Sequence, residues 1–451
     1  MYIHTLKVTD FRSFASTGEL ALMHPARGGA ASQGTRPAPL PNVTVIIGDN
    51  GSGKSSILKA LCYGVFHEAA ATLGLRSVRN VRRVKPRGGD APNQAPPERA
   101  VITVGAVGDH AQGEAERFER TTHLTRLSAD TEKIEAARPA HARWRPFTTE
   151  GAADAGPSWE EVMARANGAD HVLVAYGADR QIAMPESYDP GARSSGRHPR
   201  VLRVASLLDP GPFTLVPLGS WLTESARRDE ILGLLRGALP EATGVTPTDR
   251  VEGKEVLFDD HGVHLPLSAL SDGYQAFIGW VGDLLYHLAS CAPPGVALDT
   301  LSGVVLVDEI DLHLHPRWQQ QVVERVARTF PRIQFVLTTH SALVIGGLRK
   351  ENVFAVRRAK DGTSGVRALR SEVWGRTPDQ LLLDPIFGLE HTRDQAFMEL
   401  LRRVEARAIG GDAEAARYLN ALIAFGGAAD GPPAGVAEWV RAAARRRGIP
   451  E

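Results

Sequence analysis

Continuous apolar runs, rather than alternating ones, are the strongest structural pattern in this chain. Residues 43–47 read VTVII, residues 303–307 read GVVLV and residues 333–337 read IQFVL. Two further runs of this type are VLVAY at residues 172–176 and VFAV at residues 353–356. Strands that are buried on both faces lose the polar–apolar alternation, which is typical of a parallel sheet covered by helices. The pattern therefore predicts an α/β chain with a parallel core sheet.

Alternating and helical segments lie between and after these runs. Alternation over residues 99–125 predicts two strands, and the turn residues Asp259–Gly262 between two short apolar stretches predict a hairpin. The region before residue 271 contains too many glycines, prolines and strand segments for heptads, so no long coiled coil is predicted. Helices are predicted near residues 57–66, 218–239, 271–290, 316–329, 393–408, 412–425 and 434–447.

A glycine-rich turn joins the first apolar strand to the first helix. Residues 48–56 read GDNGSGKSS, which fits G-x-x-x-x-G-K-[ST] in the strand–turn–helix context that this motif requires. Such a turn directs backbone N–H groups at phosphate oxygens, Lys54 can reach the β- and γ-phosphates, and the Ser55 hydroxyl can bind Mg²⁺. The sequence therefore predicts a nucleoside triphosphate site at Gly48, Asn50, Gly51, Ser52, Gly53, Lys54, Ser55 and Ser56.

Polar side chains follow two of the other apolar strands. Asp308 and Glu309 come directly after residues 303–307, and His340 follows the strand that begins at residue 333. Asp308 is suited to hold Mg²⁺ directly or through water, and Glu309 is suited to polarise an attacking water. An imidazole at the end of the next strand can reach the γ-phosphate. Glu309, His340 and Lys54 are therefore the candidate catalytic residues.

The predicted helix at residues 271–290 opens with a second candidate phosphate site. Residues 270–275 read LSDGYQ, and Ser271 is a favourable N-cap. The same serine and the N-terminus of the helix can also bind a phosphate. Both roles are compatible with the sequence.

The overall composition favours neither a membrane nor a nucleic acid as a partner of the chain. Lys plus Arg and Asp plus Glu each number 52 among 451 residues, so the net charge is zero and any anionic partner must meet a local patch. The first residues, MYIHTLKVTDF, lack the apolar stretch of a signal peptide, and no run is long enough to span a bilayer. With only two cysteines, these features predict a cytoplasmic protein without a membrane partner.

One basic stretch leaves two alternatives open. Residues 74–89 carry six basic residues and no acidic one. On a helix, Arg76, Arg79 and Arg83 would share one face. This face is either simply solvated or a contact with DNA or a partner.

A pair of histidines also permits two interpretations. His313 and His315 have the H-x-H spacing of a metal-binding pair. No further ligand has a recognisable spacing, which favours a role in a loop that contacts a partner subunit.

Taken in order, the phosphate loop, LSDGYQ, VVLVDEID and LTTHS resemble the motifs of an ATP-binding-cassette (ABC) ATPase head. DFRSF at residues 10–14 is similar to the opening strand of SMC- and RecF-type ATPases. DEIDLHLHP, TTHS and LSDGY together resemble a family of ATP-binding proteins that includes the Septu- and retron-associated anti-phage ATPases. AYGADR at residues 175–180 and WGRTPDQ at residues 374–380 are also similar to that family. The resemblance covers most of residues 1–390.

The resemblance implies an ABC-ATPase head in four parts. Residues 1–85 would form the N-terminal part of the ATPase lobe with the P-loop, and residues 86–290 an inserted mixed α/β lobe that ends in the signature helix. Residues 291–375 would form the C-terminal part of the ATPase lobe, and residues 376–451 a helical region. An antiparallel β subdomain and a helical signature-motif lobe would accompany the parallel core.

The resemblance also implies ATP and Mg²⁺ as cofactors and a homodimer that encloses two ATP molecules. Ser271, Asp272 and Gly273 of one chain would complete the site of the other chain. Gln181 is the best candidate for the glutamine loop of this class. Arg180 would either face the nucleotide or stabilise the lobe.

The predicted function is ATP hydrolysis that switches a dimer on and off, in anti-phage defence or DNA maintenance. Only 110 residues follow Ser341, too few for the nuclease domain of OLD-family proteins, so an effector is expected to be a separate chain. The alternatives are a RecF-like repair ATPase that binds DNA directly, the nucleotide-binding subunit of a transporter, and a scaffold that does not hydrolyse ATP. FRSF, LSDGY and DEIDLHLHP disfavour a transporter, and the complete set of catalytic candidates disfavours a scaffold.

Overall fold

The computed structural model describes residues 2–27, 39–66, 77–83, 96–107, 117–128, 131–136, 145–146, 172–182, 188, 199–208, 213–241, 244–253 and 255–425. These residues form two compact units, one that ends at Phe387 and one that begins at Gly388. The first unit contains all of the described strands, and the second contains two helices.

The described strands and helices have the following bounds. The strands are β1 Tyr2–Phe11, β2 Phe14–Ala21, β3 Val43–Gly48, β4 Arg99–Val107, β5 Arg117–Arg126, β6 Glu132–Ala136, β7 Arg145–Pro146, β8 Val172–Tyr176, β9 Arg180–Ile182, β10 Phe213–Leu215, β11 Val245–Glu252, β12 Glu255–Asp260, β13 Val263–Pro266, β14 Gly303–Val307, β15 Ile333–Thr339, β16 Val353–Arg358 and β17 Ser364–Ala368. The α-helices are α1 Lys54–Phe66, α2 Pro199–Leu208, α3 Gly219–Leu222, α4 Arg228–Ala238, α5 Asp272–Cys291, α6 Pro316–Gln319, α7 Val322–Thr329, α8 Ala342–Gly346, α9 Pro378–Leu382, α10 Gln395–Ile409 and α11 Ala413–Phe425.

Five parallel strands form one half of the largest sheet, in the order β16-β3-β15-β14-β8. They are the five continuous apolar runs of the sequence, so the predicted parallel core is confirmed. Their register keeps the strand ends level, since Val307 pairs with Leu337 on one side and with Tyr176 on the other. Parallel strands present their carboxyl ends to the same edge. The segments that follow Gly48, Val307 and Thr339 therefore meet there.

Further strands continue the sheet beyond β16, in the order β17-β2-β1-β4-β5-β6. Neighbours in this series pair antiparallel except β17 and β2, which share one parallel pair, Ser364 with Phe14. Within this half, β1 pairs antiparallel with β2 and β4, and β5 pairs antiparallel with β4 and β6. A separate meander of β11, β12 and β13 contains the hairpin expected at Asp259–Gly262. The predicted antiparallel β subdomain is therefore confirmed.

The apolar core lies on both faces of the sheet. Val43, Val45 and Ile47 of β3 pack into one cluster with α4, α5 and α7, whereas Ile46 packs into a second cluster with α1. Successive side chains of a strand point to opposite faces. A strand with apolar residues at nearly every position is therefore stable only when helices or strands cover both sides.

A buried carboxylate ties helix α5 to the end of β8. Asp283 is 1% exposed. It accepts a hydrogen bond from the Tyr176 hydroxyl at 3.0 Å and from the N–H of Val216 at 2.8 Å. The Nε2 atom of His287 lies 3.1 Å from the same carboxylate. Buried polar groups of this kind fix the relative position of the elements that they join.

The helical face considered for the basic stretch is not formed by the described residues 77–83. Arg79 has a left-handed φ of 57°, and the N–H groups of Asn80 and Val81 both donate to Oε1 of Glu132 at 2.7 Å. Arg82 forms an ion pair with Asp10 at 2.8 Å. Because these backbone donors bind another strand, they are not available for helical hydrogen bonds. Arg76 and the basic residues beyond Arg83 lie outside the described residues.

Two other predicted helices are each divided in two. The segment 218–239 becomes α3 and α4, because the N–H of Ser225 bonds to Leu222 and that of Arg228 bonds to Ser225, each three residues back. The segment 316–329 becomes α6 and α7, because the N–H of Gln321 bonds to Trp318. Consecutive three-residue bonds tighten the chain into turns that interrupt an α-helix.

The second unit contains helices α10 and α11, which confirm two of the C-terminal helices predicted from the sequence. Asp394 caps α10 by accepting a hydrogen bond from the N–H of Phe397 at 3.1 Å. The third predicted helix, at residues 434–447, lies outside the described residues. Within the described part of the chain, no helix combines the length and the apolar character needed to cross a bilayer.

Gln334 supplies a first test, because its buried side chain bonds β15 to the backbone of the N-terminal segment, which is not its neighbour in the sheet. Its Oε1 accepts from the N–H of Ile3 at 2.7 Å, and its Nε2 donates to the carbonyls of Ile3 at 2.7 Å and Met23 at 2.8 Å. Gln334→Leu leaves these buried groups unpaired, so we expect a loss of about 2–4 kcal/mol in the free energy of unfolding, measured by urea denaturation. The control Gln320→Leu changes an exposed side chain, and we expect less than about 0.5 kcal/mol there. Equal stability of the two variants would contradict this account of Gln334.

Candidate nucleotide-binding site

A cleft of about 340 Å³ opens at the carboxyl edge of the parallel strands. It brings together residues that are far apart in the sequence but follow neighbouring strands. Eight of the predicted site residues line it, together with three residues for which the sequence had indicated no role. The lining residues are Arg12, Ser13, Asn50, Gly51, Gly53, Lys54, Ser55, Ser56, Glu309, His340 and Arg358.

The phosphate loop connects β3 to α1 and requires glycine at its two ends. Gly48 has φ 150°, and a Cβ atom there would lie 2.2 Å from the carbonyl oxygen of Val356. Gly53 has φ 113°, and its Cβ would lie 2.8 Å from the ring of Phe14. Side chains at these positions would displace β16 or the β1–β2 turn. Ser52 lies fully buried behind the loop.

Lys54 reaches across the loop from the first turn of α1. The Nζ atom donates to the carbonyl oxygens of Gly48 at 2.9 Å and Asp49 at 3.1 Å. Burial lowers the pKa of Lys54, while the charges of Asp308 and Glu309 act in the opposite direction. The ammonium therefore lies inside the loop, close to the acidic residues that follow β14.

The acidic residues sit in a turn that the neighbouring strand β15 holds in place. Asp308 is 6% exposed, and its Oδ1 accepts from the hydroxyl of Thr338 at 2.5 Å. The same hydroxyl accepts from the N–H of Glu309 at 2.8 Å. One residue further along β15, Thr339 donates to Asp311 at 2.6 Å. The sequence contains both threonines in its LTTHS motif, but their partners follow only from the pairing of β14 with β15.

Glu309 has an unusual backbone conformation. Its φ is 50°, a left-handed value that residues other than glycine adopt rarely. Its side chain lines the cleft. Strained backbone at such a position is common in functional sites.

Arg180 approaches the same turn from the opposite side. Its Nη1 donates to the carbonyls of Gly177 at 2.9 Å and Asp308 at 2.7 Å, and its Nη2 donates to the carbonyl of Glu309 at 2.9 Å. Arg180 does not line the cleft. The neighbouring Gln181 is exposed and lies in β9, paired with Thr214 of β10. Its assignment to a glutamine loop stays a prediction.

His340 is half-buried and lines the cleft directly after β15. Burial lowers the pKa of His340, the positive charge of Lys54 lowers it further, and Asp311 and Glu309 oppose the shift. The imidazole is therefore neutral at pH 7.

Two arginines increase the positive charge of the cleft. Arg12 lies in the β1–β2 turn with φ 52°, and burial lowers its pKa. Arg358 ends β16 and donates to the carbonyl of Gly362 at 3.2 Å. The FRSF motif contains Arg12, whereas no local pattern marks Arg358. Together with Lys54 they make the cleft suitable for a polyanion.

The predicted signature residues Ser271, Asp272 and Gly273 do not line the cleft of their own chain. Ser271 occupies the N-cap position of α5, as predicted, but its exposed hydroxyl makes no capping hydrogen bond within the described structure. The α5 helix starts against the loop after the acidic turn, because a Cβ on Gly273 would lie 2.5 Å from the carbonyl oxygen of His313. The start of α5 therefore contributes no side chain to the cleft of its own chain.

The paired histidines do not form part of a metal cluster in the described structure. Across the described residues, no group of three or more His, Cys, Asp or Glu side chains is arranged to hold a metal ion. His315 instead accepts a hydrogen bond from the N–H of Arg317 at 3.3 Å and caps α6. The hard oxygen donors of Ser55 and Asp308 are of the type that Mg²⁺ prefers beside substrate phosphates.

Two family models match the chain. The model described as "AAA domain" matches residues 5–135, which include the phosphate loop. The model described as "AAA domain, putative AbiEii toxin, Type IV TA system" matches residues 193–346, which include the signature residues, the acidic turn and His340. These matches show AAA-family domains in the chain, and both matched segments contain residues that line the cleft.

Two curated proteins are similar to parts of the chain. The "Retron Ec83 probable ATPase" of Escherichia coli is 31% identical over 166 residues, which cover 35% of this chain and 30% of the relative. The "Septu protein PtuA" of Bacillus mycoides is 34% identical over 139 residues, which cover 31% of this chain and 19% of the relative. The chain is therefore similar to the retron probable ATPase and to Septu PtuA, and its matches span about a third or less of the length of these two relatives.

Solved structures of SMC heads are also similar. The SMC head domain from Thermotoga maritima matches with a TM-score of 0.43 and 16% identity, over 82% of this chain and all of that chain. The SmcHead bound to the C-winged helix domain of ScpA matches with a TM-score of 0.45 and 15% identity, over 82% of this chain and 98% of that chain. Similarity at this level does not define an activity.

The lowered pKa of His340 predicts how stability depends on pH. A histidine whose pKa is lower in the folded than in the unfolded chain binds fewer protons when folded, so stability falls as the pH drops below about 6.5. We expect His340→Asn to lose less stability than the wild type between pH 7.5 and pH 5.5, measured by urea unfolding without nucleotide. The matched control is His261→Asn, which replaces an exposed histidine. A pH dependence that His340→Asn leaves unchanged would contradict the lowered pKa.

Proposed function

We propose that the chain binds ATP with Mg²⁺ in the cleft and hydrolyses it. The observation that carries this proposal is the meeting of three predicted features at one edge of the parallel sheet. The phosphate loop with Lys54, Glu309 of the acidic turn, and His340 line the cleft at this edge, and Asp308 is buried directly before Glu309. Cations for phosphate and carboxylates for a metal and for water are the parts that phosphoryl transfer to water requires.

Each side chain has a role that follows from its position. Backbone N–H groups of the loop and Lys54 bind the β- and γ-phosphates, and Arg12 and Arg358 balance further negative charge. Ser55 and Asp308 hold Mg²⁺, which neutralises charge on the phosphates when bound. Glu309 orients and polarises the attacking water. The neutral His340 donates a hydrogen bond to a γ-phosphate oxygen.

A second copy of the chain completes the site. The signature residues Ser271, Asp272 and Gly273 are absent from the lining of their own cleft, and Ser271 presents an exposed hydroxyl at the start of a 20-residue helix. This hydroxyl and the helix N-terminus suit a triphosphate bound to a partner chain. ATP would thus join two chains, and hydrolysis would release them.

The relatives support a role in anti-phage defence with a separate effector chain. Two of them carry retron names and two carry the name of the Septu protein PtuA. Cys62 and Cys291 are both free and buried, which agrees with work in the reducing cytoplasm. Two of these relatives are named probable ATPases, so the ATPase cycle is the part of the activity that this proposal extends to the chain.

A repair ATPase that binds DNA directly is the second candidate. The exposed side chains of Arg79 and Arg83 lie in the described part of the basic stretch and favour it. ATP hydrolysis that DNA stimulates would support this candidate. Hydrolysis that is indifferent to DNA would support the defence role.

Glu309→Gln is expected to separate binding from hydrolysis. Because the amide cannot act as a base, the rate of phosphate release should fall by about 10²-fold or more. Binding of a fluorescent ATP analogue should persist in this variant but weaken strongly in Lys54→Ala. The control Glu324→Gln changes an exposed glutamate of α7 and should hydrolyse ATP at the wild-type rate. Unchanged hydrolysis by Glu309→Gln would exclude the proposed base.

ATP is expected to convert the Glu309→Gln variant from monomer to dimer, which light scattering after gel filtration can measure. Adding Ser271→Glu should abolish the dimer, because a carboxylate would face the triphosphate. Ser290→Glu, at the opposite end of the same helix, is the matched control and should leave the dimer intact. A Glu309→Gln chain that stays monomeric with saturating ATP would exclude the sandwich.

A further inference from the structure

Arg180 is a buried cation that binds the backbone of the acidic turn. We propose that Arg180 is a positioning residue, which holds Glu309 in the conformation needed for hydrolysis through the Glu309 carbonyl. This inference rests on the proposed ATPase function. It assigns to Arg180 an action on the turn and not on the nucleotide.

The contacts of the guanidinium all converge on two short segments. The Nη1 and Nη2 atoms bond to the carbonyls of Asp308 and Glu309 at 2.7 and 2.9 Å, and Nη1 also bonds to Gly177 at 2.9 Å. The side chain is 9% exposed. Its Nη groups are directed at carbonyl oxygens behind the cleft, and Arg180 is not among the residues that line it.

The peptide groups of Glu309 are therefore held at both ends. On one side its N–H donates to Thr338 at 2.8 Å, and on the other its carbonyl accepts from Arg180 at 2.9 Å. Between these bonds lies the left-handed φ of 50°. A non-glycine residue persists in this region only when its surroundings determine it. Arg180 supplies one of these restraints, and the N–H of Leu312 also donates to the Glu309 carbonyl, at 3.1 Å.

The charge of Arg180 also suits this position. Burial lowers its pKa to about 10, and the negative charges of Asp308, Glu309 and Asp311 oppose that shift. The group therefore remains a cation at neutral pH, beside three carboxylates. It balances part of their charge without occupying the cleft in which substrate phosphates would bind.

Lysine cannot replace this geometry. A guanidinium presents donors in a planar fork that reaches two carbonyl oxygens at once, whereas an ammonium is a point charge on a flexible chain. Without the fork, the turn can relax toward an ordinary φ and shift the Glu309 carboxylate. A displacement of about 1 Å at a catalytic group can cost about 10²-fold in rate.

The first experiment compares Arg180→Ala and Arg180→Lys with the wild type. We expect kcat to fall by about 10²-fold in both variants, with the Kd for ATP within about threefold of the wild type. The matched control is Arg325→Ala, which removes another arginine that donates to a carbonyl, that of Leu239 at 3.1 Å, away from the cleft. A kcat near the wild-type value, or a loss of ATP affinity as large as the loss of kcat, would overturn the proposal.

Chemical rescue separates positioning from general stability. Guanidinium at a non-denaturing concentration should enter the space left in Arg180→Ala and restore kcat severalfold. It should not raise kcat in Arg325→Ala or in Arg180→Lys, where the lysine side chain occupies part of that space. Absence of rescue in a folded Arg180→Ala chain would overturn the positioning role.

Hydrogen exchange tests the restraint even if the wild type does not hydrolyse ATP. Absence of hydrolysis would refute the proposed function but not the restraint on Glu309. Hydrogen exchange measured by mass spectrometry should show faster exchange at residues 308–311 in Arg180→Ala than in the wild type. Arg325→Ala should leave this segment unchanged. Equal exchange in Arg180→Ala and the wild type would refute the restraint itself, and Arg180→Lys provides the same comparison if the alanine variant does not fold.

Discussion

The level ends of the parallel strands are the constraint on which this site depends. In the register of the sheet, Val307 pairs with Leu337, and Leu337 pairs with Val45 of the phosphate-loop strand. A slip of one residue in any of these pairings would move the following turn along the strand and turn its side chains to the other face. The apolar residues that fill both faces fix this register. Burial of the core is therefore also what places Lys54 next to the acidic turn.

The sequence predicts those parts of the fold and site whose signals are local. The run GVVLV followed by two acidic residues, and the glycine-rich turn before Lys54, each contain their own pattern. The roles of Thr338 and Arg180 are different, because their partners lie 30 and 128 residues away. The partners follow only once β14 lies between β8 and β15. The order of strands in a sheet is a tertiary property that no segment of the chain contains by itself.

In the basic stretch, a local pattern is present but a distant partner determines the structure. A helix through Arg79 and Arg83 satisfies the periodicity of the sequence, but Glu132 accepts two backbone N–H groups of this segment. A carboxylate that binds backbone donors directly competes with helical hydrogen bonds. Glu132 lies on β6, about fifty residues later, so its effect cannot be found from the stretch alone. Local preference is overruled wherever such a partner exists.

The acidic turn and helix α5 are connected within a chain by two contacts, one at the start of the helix and one at its middle. Gly273 lies so close to the His313 carbonyl that a Cβ would be 2.5 Å away, and the loop that contains His313 begins at Glu309. Further along the same helix, Asp283 is bonded to Tyr176 at the end of β8, four residues before Arg180. The start of α5 therefore cannot move toward the loop after Glu309 without displacing it, and its middle is bonded to the strand that precedes Arg180. In the proposed dimer, where each α5 contacts the nucleotide of the other chain, this connection would make hydrolysis at one site sensitive to occupancy of the other.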